Sequence, residues 1–333
     1  MSTFTQKLNL ANFTCTFGDK FVLLDMFDTI VLPAFQSGYT RTHGSATYFL
    51  LGVTLIKYGD NELVLAGRLI KDTKVERDQF VSGGNIVKDK QTLQSAPSSF
   101  FAIILSNHKL LYVRENSGAP QISAFETTIE HFLHQQHDKW IKERYREINE
   151  GSRKMTWSQL REKYPRATLE ILPIGTESSV TAYIEKFRTI NMVEVKLSET
   201  NHELDNTKLF GDIRALKESV GAENIALRTQ KSGEVGLDKS NVTKLVAEQA
   251  EGGNAKITIR GKSIAGDKIT AQNESFNVAL PIKPVPQEVI SAATMLRDAL
   301  TYQVKQGFIN LAQANSTALN KVKALIQERQ WQK

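Results

Sequence analysis

The chain has 333 residues, and its 41% hydrophobic and 23% charged content is that of a soluble globular protein rather than a disordered one. Its single cysteine, Cys15, excludes an internal disulfide and indicates a reducing, cytoplasmic setting. The longest apolar run near the start spans residues 21–24, which is too short for a signal sequence or a membrane-spanning helix, so we expect neither.

The formal net charge is +6, and the whole excess lies in the second half of the chain. Residues 1–150 hold 16 Lys and Arg against 16 Asp and Glu, whereas residues 151–333 hold 26 against 20. A basic half beside a neutral half suggests an anionic partner such as nucleic acid. An excess of six charges is also small for 333 residues, so a merely solvated basic surface stays open.

Residues 1–150 are predicted to form a β-rich domain that ends in a helix. The apolar run 100–105 is typical of a strand, and residues 110–113 complete a hairpin with it. A helix is expected from about Ser123, with Glu126 three residues later as its capping-box partner. The apolar stripe of this helix consists of Phe125, Ile129, Phe132, Leu133, Trp140 and Ile141.

Residues 151–167 are predicted to be a basic linker between two domains, with a short helix at Trp157–Lys163. Arginine and lysine residues in and just before this segment are interleaved with tyrosine and tryptophan. Such mixtures occur in nucleic-acid interfaces, so Arg153 and Lys154 are candidates for a second contact with an anionic partner.

Residues 168–285 are predicted to form a basic α+β domain, because strands alternate with helices of about a dozen residues. The expected strands are 168–174, 192–197, 225–229 and 255–262, and residues 267–277 are expected to pair with the last of them. The expected helices are 175–187, 207–220 and 239–249.

Residues 286–333 are predicted to be a helical segment that follows three closely spaced prolines. Apolar residues recur every three or four positions and define a long amphipathic helix, with an interruption near 314–317. Because this stripe is longer than one small domain needs, we expect it to mediate self-association into a dimer or larger oligomer. The stripe consists of Val289, Ala293, Leu296, Leu300, Val304, Phe308 and Leu311.

Gly261-Lys262-Ser263 resembles the end of a nucleotide-binding loop, but the residues before it do not fit one. A Walker loop requires a glycine five residues before its Gly-Lys-Ser, and that position here is Lys256. The intervening residues alternate between apolar and polar side chains, which is typical of a strand rather than of a phosphate-binding backbone. We therefore expect no nucleotide site.

Two other groups of polar residues are weaker candidates for chemistry. Asp25 and Asp28 are separated by two residues rather than the one that an aspartyl phosphatase requires, so we expect surface acids. Three histidines, His131, His134 and His137, lie at helical spacing, and a solvated polar face is favoured over a metal site because no nearby acid completes a ligand set. No catalytic constellation is present in the sequence, and we expect a non-enzyme without a cofactor or metal.

The strongest candidate site is the polar side of the predicted strand 255–262. Its alternate residues point away from the apolar side chains, and their cations suit sequence-independent contacts with duplex phosphates. No aromatic residue interrupts the strand, which argues against stacking on single strands. The solvated side of an antiparallel sheet gives the same pattern, so this interpretation also stays open. The candidate residues are Lys256, Thr258, Arg260 and Lys262, with Lys268 from the paired strand and Arg228, Lys231, Lys239 and Lys244 from the preceding segment.

The order of short motifs in residues 168–306 resembles the Rex-type (RexA-like) phage exclusion proteins. The matching segments cover well under half of the chain, and they are Leu169–Thr176, Val193–Leu197, Leu209–Ile213, Gly221-Ala222 and Ala279–Ile282. The resemblance implies a two-domain homodimer that binds double-stranded DNA without sequence preference, acts in antiviral defence and works with a separate membrane-protein partner. It also implies a fold related to the ring-forming, recombination-associated RdgC proteins, and it supplies no catalytic residues.

We therefore expect a cytoplasmic, sequence-independent binder of double-stranded DNA that acts in anti-phage defence. The alternative is a non-catalytic interaction or scaffold subunit of a defence or regulatory complex, in which the basic side of the strand is only solvated. A third and less favoured class is an enzyme whose site is assembled across domains.

Overall fold

The computed structural model describes residues 4–150, 154–201, 208–309, 311, 315–329 and 331. It is an α+β structure in which helices cover a large, curled antiparallel sheet and a smaller sheet of four strands. The predicted fold class is confirmed. Within these residues no helix is both long enough and apolar enough to cross a membrane.

In the described chain, ten strands belong to the large sheet and four to the small sheet. The large sheet contains β1 (Lys7–Phe17), β2 (Phe21–Val22), β3 (Thr40–His43), β4 (Ala46–Tyr58), β5 (Glu62–Ser82), β6 (Asn85–Ser95), β7 (Ser98–Ile104), β8 (Lys109–Arg114), β9 (Ala167–Pro173) and β14 (Ala279–Pro281). The small sheet contains β10 (Phe187–Leu197), β11 (Ala226–Gln230), β12 (Ala255–Ser263) and β13 (Lys268–Gln272), in the order β11-β10-β12-β13.

The helices match most of the expected positions. They are α1 (Leu32–Gln36), α2 (Ile122–Glu150), α3 (Trp157–Lys163), α4 (Glu177–Ile184), α5 (Lys208–Ser219), α6 (Lys239–Gly252), α7 (Val289–Lys305) and α8 (Ser316–Gln327). Local signals set several of the ends. The side chains of Thr156 and Thr176 cap α3 and α4, and Asp238 accepts a hydrogen bond from the Asn241 amide at the start of α6.

Strand β1 brings distant parts of the chain together. One of its edges pairs with β8, and the other pairs with β14 near its start and with β9 further along. Residues 167–173, which were expected to open the second domain, therefore belong to the large sheet, because β9 covers an edge of β1 that would otherwise be exposed. The smaller unit accordingly runs from α4 to a 3-10 turn at Asn273–Phe276, a shorter span than the predicted 168–285.

The large sheet has a hydrophobic core on each face. Helices α1, α2 and α8 cover one face, and α7 covers the other through buried Ala292, Ala293, Leu296 and Leu300. The middle of the apolar stripe that suggested self-association is thus buried within the chain at Ala293, Leu296 and Leu300, whereas Val304 and Phe308 are exposed. Helix α7 ends at Lys305, before Gly307 (φ 73°). The buried part of the stripe covers the sheet, and the oligomer stays a prediction.

Helix α2 also covers the free edge of β9. The carboxylate of Glu126 accepts the Ile171 amide at 3.0 Å, and that of Glu130 accepts the Leu169 amide at 3.2 Å. Glu126 was expected to cap its own helix, and instead it satisfies a strand amide that has no strand partner. This pairing fixes α2 beside β9 and places the Glu126 carboxylate at the boundary between the two sheets.

Strands β5 and β6 continue beyond the large sheet as a two-stranded arm, residues 73–95. The pairing of β4 with β5 ends at Asp72, and the pairing of β7 with β5 ends at Ile70. At the tip, Ser82 and Asn85 flank the two-residue turn Gly83-Gly84, whose φ angles are 56° and 81°. Positive φ at both positions is the conformation of the hairpin turn that matches the twist of the strands.

Candidate nucleic-acid interface

The small sheet has one apolar face and one polar face. Helices α4 and α6 pack on the apolar face, against buried residues such as Ile257 and Ile259. Lys256 and Arg260 point to the opposite side and are exposed, and the alternation predicted for this strand is therefore present. We call this polar side the open face.

The strand register shows which side chains share the open face. Residues that lie directly opposite each other in an antiparallel pair point to the same side of the sheet. The partners of Lys256, Thr258, Arg260 and Lys262, which we call the β12 row, therefore also lie on the open face. Lys262 lies opposite Lys268, Arg260 opposite Thr270 and Thr258 opposite Gln272 on β13. On β10, Lys196 lies opposite Lys256, and Glu194 lies between Thr258 and Arg228 of β11.

Two of these cross-strand pairs bring like charges together. Lys262 faces Lys268, and Lys196 faces Lys256. Opposed cations destabilise a sheet unless a counter-charge is present. The first pair and Arg260 form no ion pair with any described residue, whereas the second pair has a neighbouring acid.

Lys256 is neutralised from the large sheet. Its ammonium lies 2.5 Å from the Glu170 carboxylate of β9. Partial burial lowers the pKa of Lys256, but the hydrogen bond and charge of Glu170, with the charges of Glu126 and Glu274, outweigh it and raise the pKa above its ordinary value. Lys256 is thus held in an ion pair and is a poorer candidate for phosphate binding than Arg260 or Lys262.

A cleft of about 250 Å³ lies where the open face meets the large sheet. Lys196, Lys256, Glu126, Glu170 and Glu199 line it together with hydroxyl groups of β1 and β9. The cleft therefore carries more acids than cations. A polyanion would be repelled from this end of the open face and favoured at the Arg260 end.

The remaining predicted residues of this unit do not all reach the open face. Arg228 is exposed on it at the edge strand β11, and Lys231 is exposed just after that strand. Lys244 is exposed on α6, in the helix layer behind the sheet, so it cannot join the same contact. Lys239 opens α6, and its ammonium bonds the carbonyl of Phe187, so it serves the packing of that helix.

The second predicted contact lies elsewhere. Arg153 is outside the described residues, and Lys154 is exposed just before α3. The interleaved aromatics of this region are used internally, because Tyr145 stacks on Trp157 with ring centroids 4.0 Å apart. These rings therefore connect the end of α2 to α3 and are not a free stacking platform.

Lys196 is the open-face cation that the sequence interpretation missed. It alternates with buried Val195 and Leu197, which is the same signal that identified the β12 row. The sequence leaves the buried side of strand 192–197 open, because Met192 and Val193 are adjacent and both apolar. The register adds Lys196 to the face by placing it beside Lys256.

Gly261 is required by the sheet and not by a phosphate. A β-bulge in β10 brings the backbone so close that a Cβ on Gly261 would lie 2.0 Å from the Thr189 carbonyl oxygen. Lys262 and Ser263 then lead into the hairpin turn before β13. The expectation that this stretch is a strand is confirmed.

The aspartates and histidines that were weighed for chemistry have packing roles. Asp25 pairs with Lys321 at 2.5 Å and Asp28 pairs with Arg329, which attaches the α8 segment to the body. His134 and His137 bond the carbonyls of Ala167 and Tyr164 at 2.8 and 2.9 Å. His137 is buried, so the predicted solvated face is correct only for His131. No cluster with metal-ligand geometry occurs among the described residues.

No protein-family model matches the chain, and no curated protein matches it.

Proposed function

We propose that this protein binds double-stranded DNA without sequence preference through the open face of the small sheet. The observation that carries the proposal is the register of β12 and β13, which sets the exposed Arg260 beside the opposed pair of half-buried Lys262 and exposed Lys268. Phosphates would relieve the repulsion between these cations, and such contacts carry no base information.

The neighbouring side chains support a duplex over a single strand. Thr258, Thr270 and Gln272 add hydrogen-bond donors for phosphate oxygens beside the cations. The described part of the open face has no aromatic side chain on which an unpaired base could stack. Glu194 is the acid that β10 contributes to this face, near Arg228 rather than near Arg260.

Anti-phage defence is the proposed biological role, and it rests on the resemblance to the Rex-type exclusion proteins. The same resemblance supports a homodimer with a separate membrane-protein partner, and the single cysteine supports a cytoplasmic setting. Phage plating on cells that express the chain tests this role, since loss of protection in an open-face variant would link it to DNA binding.

The binding test is the mobility of random duplex DNA at a series of salt concentrations. We expect log affinity to fall linearly with log salt, with a slope of about −0.9 for each phosphate that is contacted. The double variant Arg260→Glu, Lys268→Glu should weaken binding and reduce this slope by about 2. The control is Lys244→Glu, which reverses one charge in the helix layer and should change binding far less.

Two outcomes contradict the proposal. If the wild-type chain shifts no duplex at low salt, the interaction or scaffold alternative takes its place. If Lys244→Glu weakens binding as much as a single reversal at Arg260, the effect follows net charge and the open face is not the site.

A further inference from the structure

The turn between β12 and β13 carries an isoleucine that the fold leaves exposed. Ile264 is 71% exposed and directly follows the last residue of β12. Turns are ordinarily built from glycine, proline, asparagine, aspartate or serine, because these residues supply the required backbone angles or side-chain hydrogen bonds. Isoleucine supplies neither, and here it adds nothing to the core. Neither the turn nor the core therefore accounts for an isoleucine at this position.

The backbone of this turn is firmly held although the Ile264 side chain is exposed. The amide of Gly266 donates to the Ser263 carbonyl at 3.0 Å, and the amide of Ser263 donates to the Asp267 carbonyl at 2.8 Å. The amide of Ile264 donates to the Lys186 carbonyl at 3.1 Å, which ties the turn to the residue just before β10. Isoleucine is branched at Cβ and has few side-chain rotamers. Ile264 is therefore a stiff apolar projection.

Cations surround this projection. Lys262 and Lys268 lie directly opposite each other at the two ends of the turn. Lys186 is exposed, and its carbonyl binds the turn. Asp267 is the acid of the turn itself. An apolar tip among cations is matched to duplex DNA, because base pairs offer apolar faces for stacking and the phosphates beside them are anionic.

We propose that Ile264 is a wedge that enters the minor groove and separates two stacked base pairs, so that the duplex bound on the open face is kinked. This inference rests on the proposed function. Apolar wedges in other DNA-binding proteins insert from the minor groove and kink the duplex by about 20–90° toward the major groove. Such a wedge responds to the ease with which a base step unstacks, and not to a base sequence as such.

The dimensions of the turn require the kink. An undistorted minor groove is about 6 Å wide, and the opposed backbones of a hairpin are already about 5 Å apart before their side chains are added. The turn therefore enters only where the groove is widened, which a kink toward the major groove achieves. Ala265 and Gly266 follow Ile264, and their small size lets the tip approach the bases. Lys262 and Lys268 then contact phosphates on the two sides of the opened groove.

Energy transfer between dyes at the two ends of a duplex of about 30 base pairs measures the kink. Saturating wild-type protein should shorten the end-to-end distance, whereas Ile264→Ala should bind the duplex and leave it straight. Ile264→Leu should keep the kink, because leucine also acts as a wedge. The control is Ile290→Ala on α7, whose side chain is 50% exposed, and it should bend the duplex as wild type does. Both isoleucines are exposed, so all three variants should fold.

A duplex with a central mismatch provides a second measurement. The mismatch removes part of the cost of unstacking, so wild-type protein should bind this duplex about tenfold more tightly than the matched one. Ile264→Ala should lose most of this preference. The slope of log affinity against log salt should be the same for both proteins, because the substitution removes no charge.

The outcomes separate the wedge from the proposed function. If wild-type protein binds the duplex without bending it, or if Ile264→Ala bends it equally, the wedge is wrong and the open-face site stands. If wild-type protein binds no duplex, both proposals fail. Binding to phosphatidylserine vesicles that is lost in Ile264→Ala, with no bending of DNA, would assign the tip to a lipid surface and overturn the wedge.

Discussion

At the scale of single residues, a buried lysine joins the two sheets. Lys109 is 3% exposed, and its ammonium lies 2.9 Å from the Asn12 side-chain oxygen and 3.5 Å from the carbonyl of Gly252. The second contact places a positive charge at the C-terminal end of α6, where the helix dipole favours it. Asn12 also bonds Asn254, so this side chain connects both units.

We predict that Lys109→Met lowers the free energy of unfolding by about 1–3 kcal/mol, because it leaves buried acceptors unsatisfied. Urea denaturation followed by circular dichroism measures the change. The control is Lys244→Met on the exposed side of α6, which should cost less than about 0.5 kcal/mol. Equal midpoints for the two variants would show that the buried ammonium does not stabilise the junction.

His137 gives a second prediction at this scale. Burial lowers the pKa of its imidazole below 6.5 despite the opposing effects of the Tyr164 carbonyl and of Asp138, whose carboxylate is 4.0 Å away. As the pH falls, His137 is therefore protonated at a higher pH in the unfolded chain than in the folded chain. The contribution of neutral His137 to the free energy of unfolding is present above pH 6.5 and is lost as the pH falls below it. Thermal melts between pH 5 and about 7.5 should show this loss, and His137→Gln should reduce it. The exposed His43→Gln is the control, and an unchanged pH profile in His137→Gln would contradict the assignment.

At the scale of elements, the bulge between β10 and β12 depends on one glycine. Gly261→Ala would place a methyl group 2.0 Å from the Thr189 carbonyl and 3.0 Å from the Ile190 Cα, so the strands must separate. We expect a loss of about 1–3 kcal/mol in the free energy of unfolding, the cost typical of overpacking. Gly211→Ala in α5 is the matched control, since its methyl meets nothing within 4 Å and should stabilise the helix. A melting temperature that stays the same in Gly261→Ala would argue against the close approach.

The elements themselves followed closely from sequence pattern. The hairpin of β7 with β8, the pairing of β12 with β13 and the ends of α3 and α6 were set by alternation, turn residues and capping side chains. The placement of β9 did not follow, because its apolar pattern fits either sheet. Its position depends on the edge of β1, which lies more than 150 residues away in the chain.

At the scale of the whole molecule, the large sheet restrains the candidate DNA site through Glu170. We predict that Glu170→Gln releases Lys256 and allows another phosphate contact, which would raise duplex affinity and steepen its salt slope by about 0.9. The prediction rests on the proposed function and is measured by the same mobility titration. Glu248→Gln on exposed α6 makes the same change in net charge and should leave the slope unaltered. A slope in Glu170→Gln equal to that of wild type would show that Lys256 does not reach the DNA.

The sequence by itself determined the alternation of Lys256, Arg260 and Lys262, since strand period alone places them on one side. Only the tertiary structure decided how the neighbouring charges and the exposure of these cations differ. Register brought Lys196 and Lys268 into the same face, and a carboxylate of the large sheet neutralised Lys256 while Arg260 stayed exposed. The physical reason is that periodicity is a local property of the backbone, whereas the charges around a residue come from strands that are paired across long stretches of the chain.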